Sequence, residues 1–357
     1  MSGYFNLEKL YQFKLRSMPR GANYKDGVTN NSCNAPHRVV VVDWKSNCFI
    51  CIADGFLPIP VGQVSDFNSI DDVWNSETAK VIQKDIADKK FTWCAVDQCS
   101  IRKKDININP AQLHLNIDES CNLSCPSCRR ETIMHTSGEL VERKTKDVER
   151  VLSWLDQYKD PIHIVFSGNG DPLASTIIRP LVRNFTPKEN HTFTLHTNGL
   201  LIKKQLDDSK IFPNITVFSI STDAGSKPVY EKVRRGGSWE VLIENLEYLV
   251  AKGKAPMTRL NFVLQNDNYA DLDNFVALAE KYQFRCDIGE LTNWGTWNTQ
   301  KVIEPDAYTI ANGTFVDHNI LDPKHPNHNA CREVLRRHLN KPRVIIGPRI
   351  LQTFGLA

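Results

Sequence analysis

The chain has 357 residues, of which 41% are apolar and 24% charged, with a net charge of +3. Such a composition is that of a globular protein with one large domain plus a small one, and so small a charge gives no sign of a nucleic-acid partner. No apolar run approaches the ~18 residues of a membrane span, and the N-terminus lacks the apolar core of a secretory signal, so a cytoplasmic protein is expected.

Residues 1–30 are polar and weakly periodic and read as a lead-in segment. Val39 to Val42 form an apolar run that predicts a strand, Lys45-Ser46-Asn47 a turn, and Cys48 to Ile52 the returning strand of a hairpin. Ser69 and Asp72 open a capping-box-like start, predicting a helix through about Lys89 with Val73, Trp74, Val81, Ile82 and Ile86 inward. Cys94 and Cys99 close this unit, 31–105, whose core is too small to stand without a staple. From 110 to 295 the pattern becomes strand–helix repetition. Strands are expected at 112–117, 162–167, 191–196, 215–221, 257–265 and 285–291, with helical periodicity between them. Six such units imply a parallel α/β sheet with right-handed crossovers, a partial (β/α)6 TIM-like barrel rather than a closed eight-stranded one. The segment 296–357 is a C-terminal extension; from Ala330 it carries Arg332, Arg336, Arg337, Lys341, Arg343 and Arg349 against the single acid Glu333. That segment reads as a solvated basic helix face or as a contact for an acidic substrate.

Ten cysteines in a cytosolic chain point to metal before disulfide. Eight of them fall within the first 128 residues: Cys33, Cys48, Cys51, Cys94, Cys99, Cys121, Cys125 and Cys128. Cys286 and Cys331 stand alone as buried thiols. The last three of the eight have the spacing C-x3-C-x2-C at the exit of the first barrel strand, on a loop that Pro126 keeps from being a helix. Three thiolates there supply one ligand fewer than a closed tetrahedral site, leaving one iron of a [4Fe–4S] cluster open. The competing reading is zinc, with His114 or His135 as fourth ligand. In chemistry-bearing sheets of this class ligands gather at the strands' C-terminal ends. Gly168, Asn169, Gly170 and Asp171 end the second strand: the glycines let backbone approach a ligand, and Asp171 is an acceptor, although the same residues make a good turn. Thr197-Asn198-Gly199, Ser221-Thr222-Asp223 and Gln265-Asn266 end later strands with groups suited to ribose and adenine edges, or to plain strand-end solvation. Trp294 and Trp297, after the sixth strand, read as core or edge packing before substrate contact.

On these residues the segment 110–295 resembles the radical S-adenosylmethionine (SAM) superfamily. Cys121, Cys125 and Cys128 match its cysteine signature, Gly168–Pro172 its glycine-rich motif, and Ser221–Ala224 with Tyr230–Arg234 its fourth strand and helix. The aromatic residue common before the third cysteine is Ser127 here. The resemblance implies a SAM-binding [4Fe–4S] cluster on the triplet, with Gly168, Asn169, Gly170, Asp171, Ser221 and Gln265 holding SAM. It further implies cleavage of SAM to a 5′-deoxyadenosyl radical that abstracts hydrogen from a substrate, and an external one-electron donor such as flavodoxin or ferredoxin.

Cys33, Cys51, Cys94 and Cys99 with the Asp71–Glu77 helix resemble the auxiliary-cluster (twitch or SPASM-type) domain of that superfamily, here N-terminal to the barrel instead of following it. This implies a second [4Fe–4S] cluster, with Cys48 as substitute for Cys51 and zinc as competitor. The substrate implied first is a peptide or protein, then a sugar or nucleotide-linked metabolite. The reading of another class is a non-catalytic iron–sulfur or zinc protein.

Overall fold

The computed structural model describes residues 30–52, 57, 59–94, 99, 101, 104–292 and 315–356. Nearly all of the lead-in segment, together with Trp294 and Trp297, lies outside them. The chain forms two compact units, the first from Met1–Asp118, Thr136–Asn169 and Pro187–Phe193, the second from Glu119–His135, Gly170–Thr186 and Thr194–Ala357.

In the first unit the valine run is strand β1 (Val39–Val42), buried along its whole length. A strand buried on both faces reads as an unbroken apolar run because neither face meets water. Its neighbours explain the burial. On one side β1 pairs antiparallel with β2 (Asn47–Phe49), which pairs with β3 (Gly62–Gln63); on the other it pairs in parallel with β4 (Ala111–Leu115). The hairpin turns where predicted, because the Asp43 carboxylate accepts the Lys45 and Asn47 N–H groups (2.8 and 2.7 Å) and Ser46 adopts a left-handed φ of 64°. The returning strand is shorter than expected, ending at Phe49 instead of Ile52.

The expected helix from Ser69 is two helices, α1 (Ile70–Asn75) and α2 (Glu77–Ala87). Ser69 caps the first, its Oγ accepting the Asp72 N–H at 3.1 Å. Ser76 breaks the run: extended itself, it accepts from the Ala79 N–H at 3.3 Å and so starts the second helix. Trp74 on α1 donates its indole N–H to the Val39 carbonyl (3.0 Å), fastening the helix to β1.

Helix α3 (Glu139–Gln157) buries Val148, Val151, Trp154 and Leu155, and β5 (Ile162–Phe166) pairs in parallel with β4. Two polar side chains go under with α3. Lys144 faces Asp118 at 3.9 Å with both side chains only 1% exposed, and Asp147 accepts from the Ser46 hydroxyl at 2.6 Å. Strand β6 (His191–Thr197) gives its first three residues to this unit and the rest to the second.

The second unit continues with α4 (Arg179–Asn184), α5 (Ile202–Leu206), β7 (Ile215–Ser221), α6 (Lys227–Val233), α7 (Trp239–Ala251), β8 (Thr258–Leu264), α8 (Leu272–Tyr282) and β9 (Arg285–Glu290). Then follow α9 (Phe315–His318), α10 (His328–Arg336), β10 (Val344–Ile346) and α11 (Pro348–Thr353). Strands β7, β8, β9 and β10 lie side by side, all parallel. Strand β8 alternates buried Leu260, Phe262 and Leu264 with half-buried Arg259 and Asn261. Phe262 meets Phe275 of α8 with ring centres 4.8 Å apart.

The fold class is α/β with mostly parallel strands, and β4 to β9 give the strand–helix succession expected of a partial (β/α)6 barrel. The basic C-terminal segment is tied down locally: Arg336 pairs with Glu333, Arg337 with Asp273, Lys341 with Glu280 and Arg349 with Glu290, while Arg343 donates to the Gln283 carbonyl. Five of the six basic residues thus have an acceptor within the second unit, while Arg336, Arg337 and Arg349 keep about half or more of their side chains in solvent. Among the described residues, no helix is long and apolar enough to cross a membrane.

Candidate functional site

The cysteine triplet lies in the second unit on an irregular loop, pinned at its start where the Cys121 N–H donates to the Ile133 carbonyl at 2.8 Å. A turn follows: the Cys125 carbonyl accepts from both the Cys128 and Arg129 N–H groups (2.9 and 3.0 Å). The turn folds the third cysteine back toward the second, and Pro126 within it prevents the loop from winding into a helix. Cys125 is buried, Cys121 half-buried and Cys128 exposed. As free thiols Cys121 and Cys125 are reluctant to ionise. Burial, followed by the Asp171 charge, pushes Cys121 up to about 12, and burial raises Cys125 against the pull of Arg234. Such thiols become good ligands only when a cation takes the proton's place.

Two strand ends hold the loop. Gly170 lies so close beneath it that a Cβ there would strike the Ser120 carbonyl oxygen and come within 2.6 Å of the Glu119 carbonyl carbon. The next residue, Asp171, donates its N–H to that Ser120 carbonyl at 2.8 Å. Its buried carboxylate accepts from the Thr197 hydroxyl (2.8 Å), the Asn198 N–H (2.7 Å) and the Leu173 N–H (2.9 Å). Both of its oxygens are therefore engaged within the protein. Asn198 in turn points its amide at the loop, 2.9 Å from Asn122 Oδ1 and 3.9 Å from Cys121 Sγ. Gly168 and Asn169 belong to the first unit, where Gly168 (φ 134°) passes so near Asn116 that a Cβ would sit 2.9 Å from its Cα. Only glycine fits there.

Further along, Ser221 is half-buried at the end of β7 opposite Asn261, and Gln265 is buried just past β8. Asn268 joins these ends, accepting the Gln265 N–H at 2.9 Å and donating to the Asp223 carbonyl at 3.0 Å.

Two adjacent arginines, which sequence reasoning left unassigned, complete the loop's surroundings. Arg235 donates to the Arg129 and Arg130 carbonyls (3.3 and 2.7 Å) and to Ser124 Oγ (3.1 Å), and its own carbonyl accepts the Ser124 N–H. Arg234 turns the other way, its Nη2 2.6 Å from Asp223 and its Nη1 3.7 Å from Cys125 Sγ. The only sequence signal was the place of Arg234 in the Tyr230–Arg234 stretch; Arg235 had none.

The five cysteines ahead of the triplet sort themselves in the first unit. Burial raises Cys94 well above its usual value, and the neighbouring thiols Cys51, Cys33 and Cys99 add to the effect, so all three lie within electrostatic reach of it. Cys48, fully buried, instead neighbours the carboxylates of Asp43, Asp66 and Asp147. Cys33 and Ile106 form a parallel bridge that brings the start and end of this segment together. His114 on β4 meets Gln112 at 3.0 Å, and His135 in the second unit stands 3.8 Å from the Glu119 carboxylate. Among the described residues, no three His, Cys, Asp or Glu side chains are arranged around a single metal ion.

The donor set suits an iron–sulfur cluster at the triplet. Soft thiols stand beside buried donors that have no acceptor among the described residues, the Tyr230 hydroxyl and the Arg234 Nε. Comparison with known proteins decides between the readings: residues 115–279, which begin at the end of β4 and take in all three cysteines, match the Radical SAM superfamily. The chain carries a radical SAM domain. Proteins of this superfamily use a [4Fe–4S] cluster and SAM.

The chain is 27% identical over 173 residues to mycofactocin maturase MftC of Mycobacterium ulcerans, covering 48% of this chain and 45% of that protein. It is 26% identical over 201 residues to GTP 3′,8-cyclase of Peptoclostridium acidaminophilum, covering 55% and 61%. The chain thus spans about half the length of the curated relatives it matches. Among solved structures, Streptococcus suis SuiB bound to precursor peptide SuiA aligns with a TM-score of 0.45 at 17% identity, over 78% of this chain and 64% of that one.

Proposed function

We propose that the chain is a radical SAM enzyme that modifies a peptide or protein substrate. The observation that carries the reading is the loop itself: within a matched radical SAM domain, three thiols in C-x3-C-x2-C spacing share one loop, with the Asn198 amide 3.9 Å from Cys121 Sγ and the Arg234 guanidinium 3.7 Å from Cys125 Sγ. Cys121, Cys125 and Cys128 hold the first cluster. When bound, the cluster and SAM supply one-electron cleavage of the sulfonium and a 5′-deoxyadenosyl radical able to take hydrogen from an unactivated carbon. The protein's own residues do the rest. Gly170 leaves room for the Ser120 carbonyl and so seats the cysteine loop, and Gly168, Asn169 and Gly170 are read from the family's glycine-rich motif as holding the methionine end of SAM. Asp171, saturated by Thr197, Asn198 and Leu173, fixes the shape of that end, and Ser221 and Gln265 face the nucleoside. Burial of Cys125 keeps water from its sulfur. The electron would come from an external one-electron donor of the flavodoxin or ferredoxin kind.

Cys33, Cys51, Cys94 and Cys99 hold a second, fully ligated cluster in the first unit, which is where the auxiliary-domain reading belongs. A maturase among the relatives favours a substrate that is a precursor awaiting modification. The cyclase relative supports a second reading, a nucleotide substrate.

The test is anaerobic reconstitution followed by reduction with SAM present. Formation of 5′-deoxyadenosine, abolished in Cys125→Ala, supports the enzyme; a fully loaded protein that leaves SAM intact refutes it. Acceleration of cleavage by GTP but by no candidate precursor peptide would move the substrate to the second reading.

A further inference from the structure

We propose that Arg234 is a positioning residue that sets the reduction potential of the centre at Cys121, Cys125 and Cys128, an inference that rests on reading that triplet as a cluster site. Arg234 follows directly on α6, and its side chain is 14% exposed. One fork nitrogen stands 3.7 Å from Cys125 Sγ, the other 2.6 Å from Asp223 Oδ2.

The carboxylate that aims the guanidinium is itself fixed from three sides. Its second oxygen accepts the Val263 N–H at 2.7 Å, the Asp223 carbonyl accepts from the Asn268 amide at 3.0 Å, and its backbone takes a left-handed φ of 55°. Burial opposes the Arg234 charge, but the Asp223 carboxylate and the Cys125 sulfur outweigh it and keep the guanidinium ionised. The Tyr230 hydroxyl, fully buried on α6, and the Arg234 Nε have no acceptor among the described residues. A cationic, donor-rich wall thus stands beside one buried ligand sulfur.

Reduction adds negative charge to a cluster and its thiolates, and hydrogen bonds to the sulfurs stabilise that charge, so this wall raises the potential. The effect is large because Cys125 is shielded from water, where screening would otherwise weaken it. The loop's shape does not depend on Arg234, since Arg235 alone makes three side-chain bonds to it. Potential and cluster retention can therefore be separated.

The experiment is a redox titration of the reconstituted full chain, without SAM, followed by electron paramagnetic resonance, on wild type, R234Q and R234K. Losing a hydrogen bond to a charged group is expected to lower the ratio of reduced to oxidised triplet-bound cluster at a fixed potential about tenfold in R234Q, equivalent to about 59 mV for one electron. R234K keeps the charge but loses the planar fork, and a fall of about threefold is expected. If R234Q fails to load iron, R234K decides. A loaded variant that titrates with the wild type overturns the proposal. A wild type that forms no cluster, or one that keeps its full signal in Cys125→Ala, overturns the reading of the triplet instead.

Discussion

Cys48 and Cys51 are three positions apart and indistinguishable by spacing, so the sequence leaves both open as ligands. Burial and neighbours separate them. Cys48 is sealed against β1 and β3 with carboxylates around it, while Cys51 is half-buried and neighbours Cys94. A thiol sealed from water and kept protonated by burial and nearby carboxylates behaves as a small hydrophobe. Cys48→Ala is expected to keep the wild-type iron content after reconstitution and to cost about 1 kcal/mol of stability, the usual size of a modest core truncation. Cys51→Ala is expected to lose roughly half the iron, since one of two four-iron centres loses a ligand. Iron analysis and thermal denaturation of the two variants check both statements, and equal iron loss in the two would return Cys48 to the ligand set. The arginines teach the complementary lesson. Nothing in the spacing of Arg234 and Arg235 ties them to cysteines over a hundred positions away; only the folded second unit does.

At the scale of elements, the strands were legible and their partners were not. The six barrel strands fall where alternation and β-branched runs place them, within two residues at either end. The break at Ser76 escaped notice because the apolar spacing continues across it; the cap, not the periodicity, ends the helix. The parallel pairing of β1 with β4 spans some seventy residues, and the one hint was that Val39 to Val42 do not alternate.

Strand ends show the same division. The glycine-rich segment could be located from sequence, whereas the contact that requires Gly170, backbone of the cysteine loop pressed against it, could not. Gly170→Ala is expected to push that loop aside, lowering stability by about 1–3 kcal/mol, the range for overpacking. Because the displaced residues lie just ahead of Cys121, iron retention under chelator should fall as well. Thermal denaturation and the rate of iron loss test this, and an alanine variant with wild-type values in both would mean the loop yields freely.

For the whole molecule, the question is what the N-terminal segment contributes. It is built into the first unit: β1 pairs with β4 along four residues, Trp74 bonds to β1, and α3 buries Asp147 against Ser46 of the hairpin. Deleting residues 31–105 would strip β4 of a partner and expose a hydrogen-bonding edge flanked by apolar side chains, a template for aggregation. The truncated chain is therefore expected to be insoluble, and sedimentation of the expressed protein checks this. A role for the second cysteine set has to be tested by side-chain replacement within an intact unit.

Cys99→Ala removes one thiol from the set around Cys94 and leaves β1, β4 and the triplet loop untouched. If that centre serves the substrate, the variant is expected to form 5′-deoxyadenosine at a rate near wild type while product formation falls at least tenfold, a loss confined to steps after cleavage. If the centre is only a staple, product and 5′-deoxyadenosine fall together, in step with a lower melting temperature. Measuring both products against denaturation in one preparation separates the two, because a staple acts through stability and a substrate site does not.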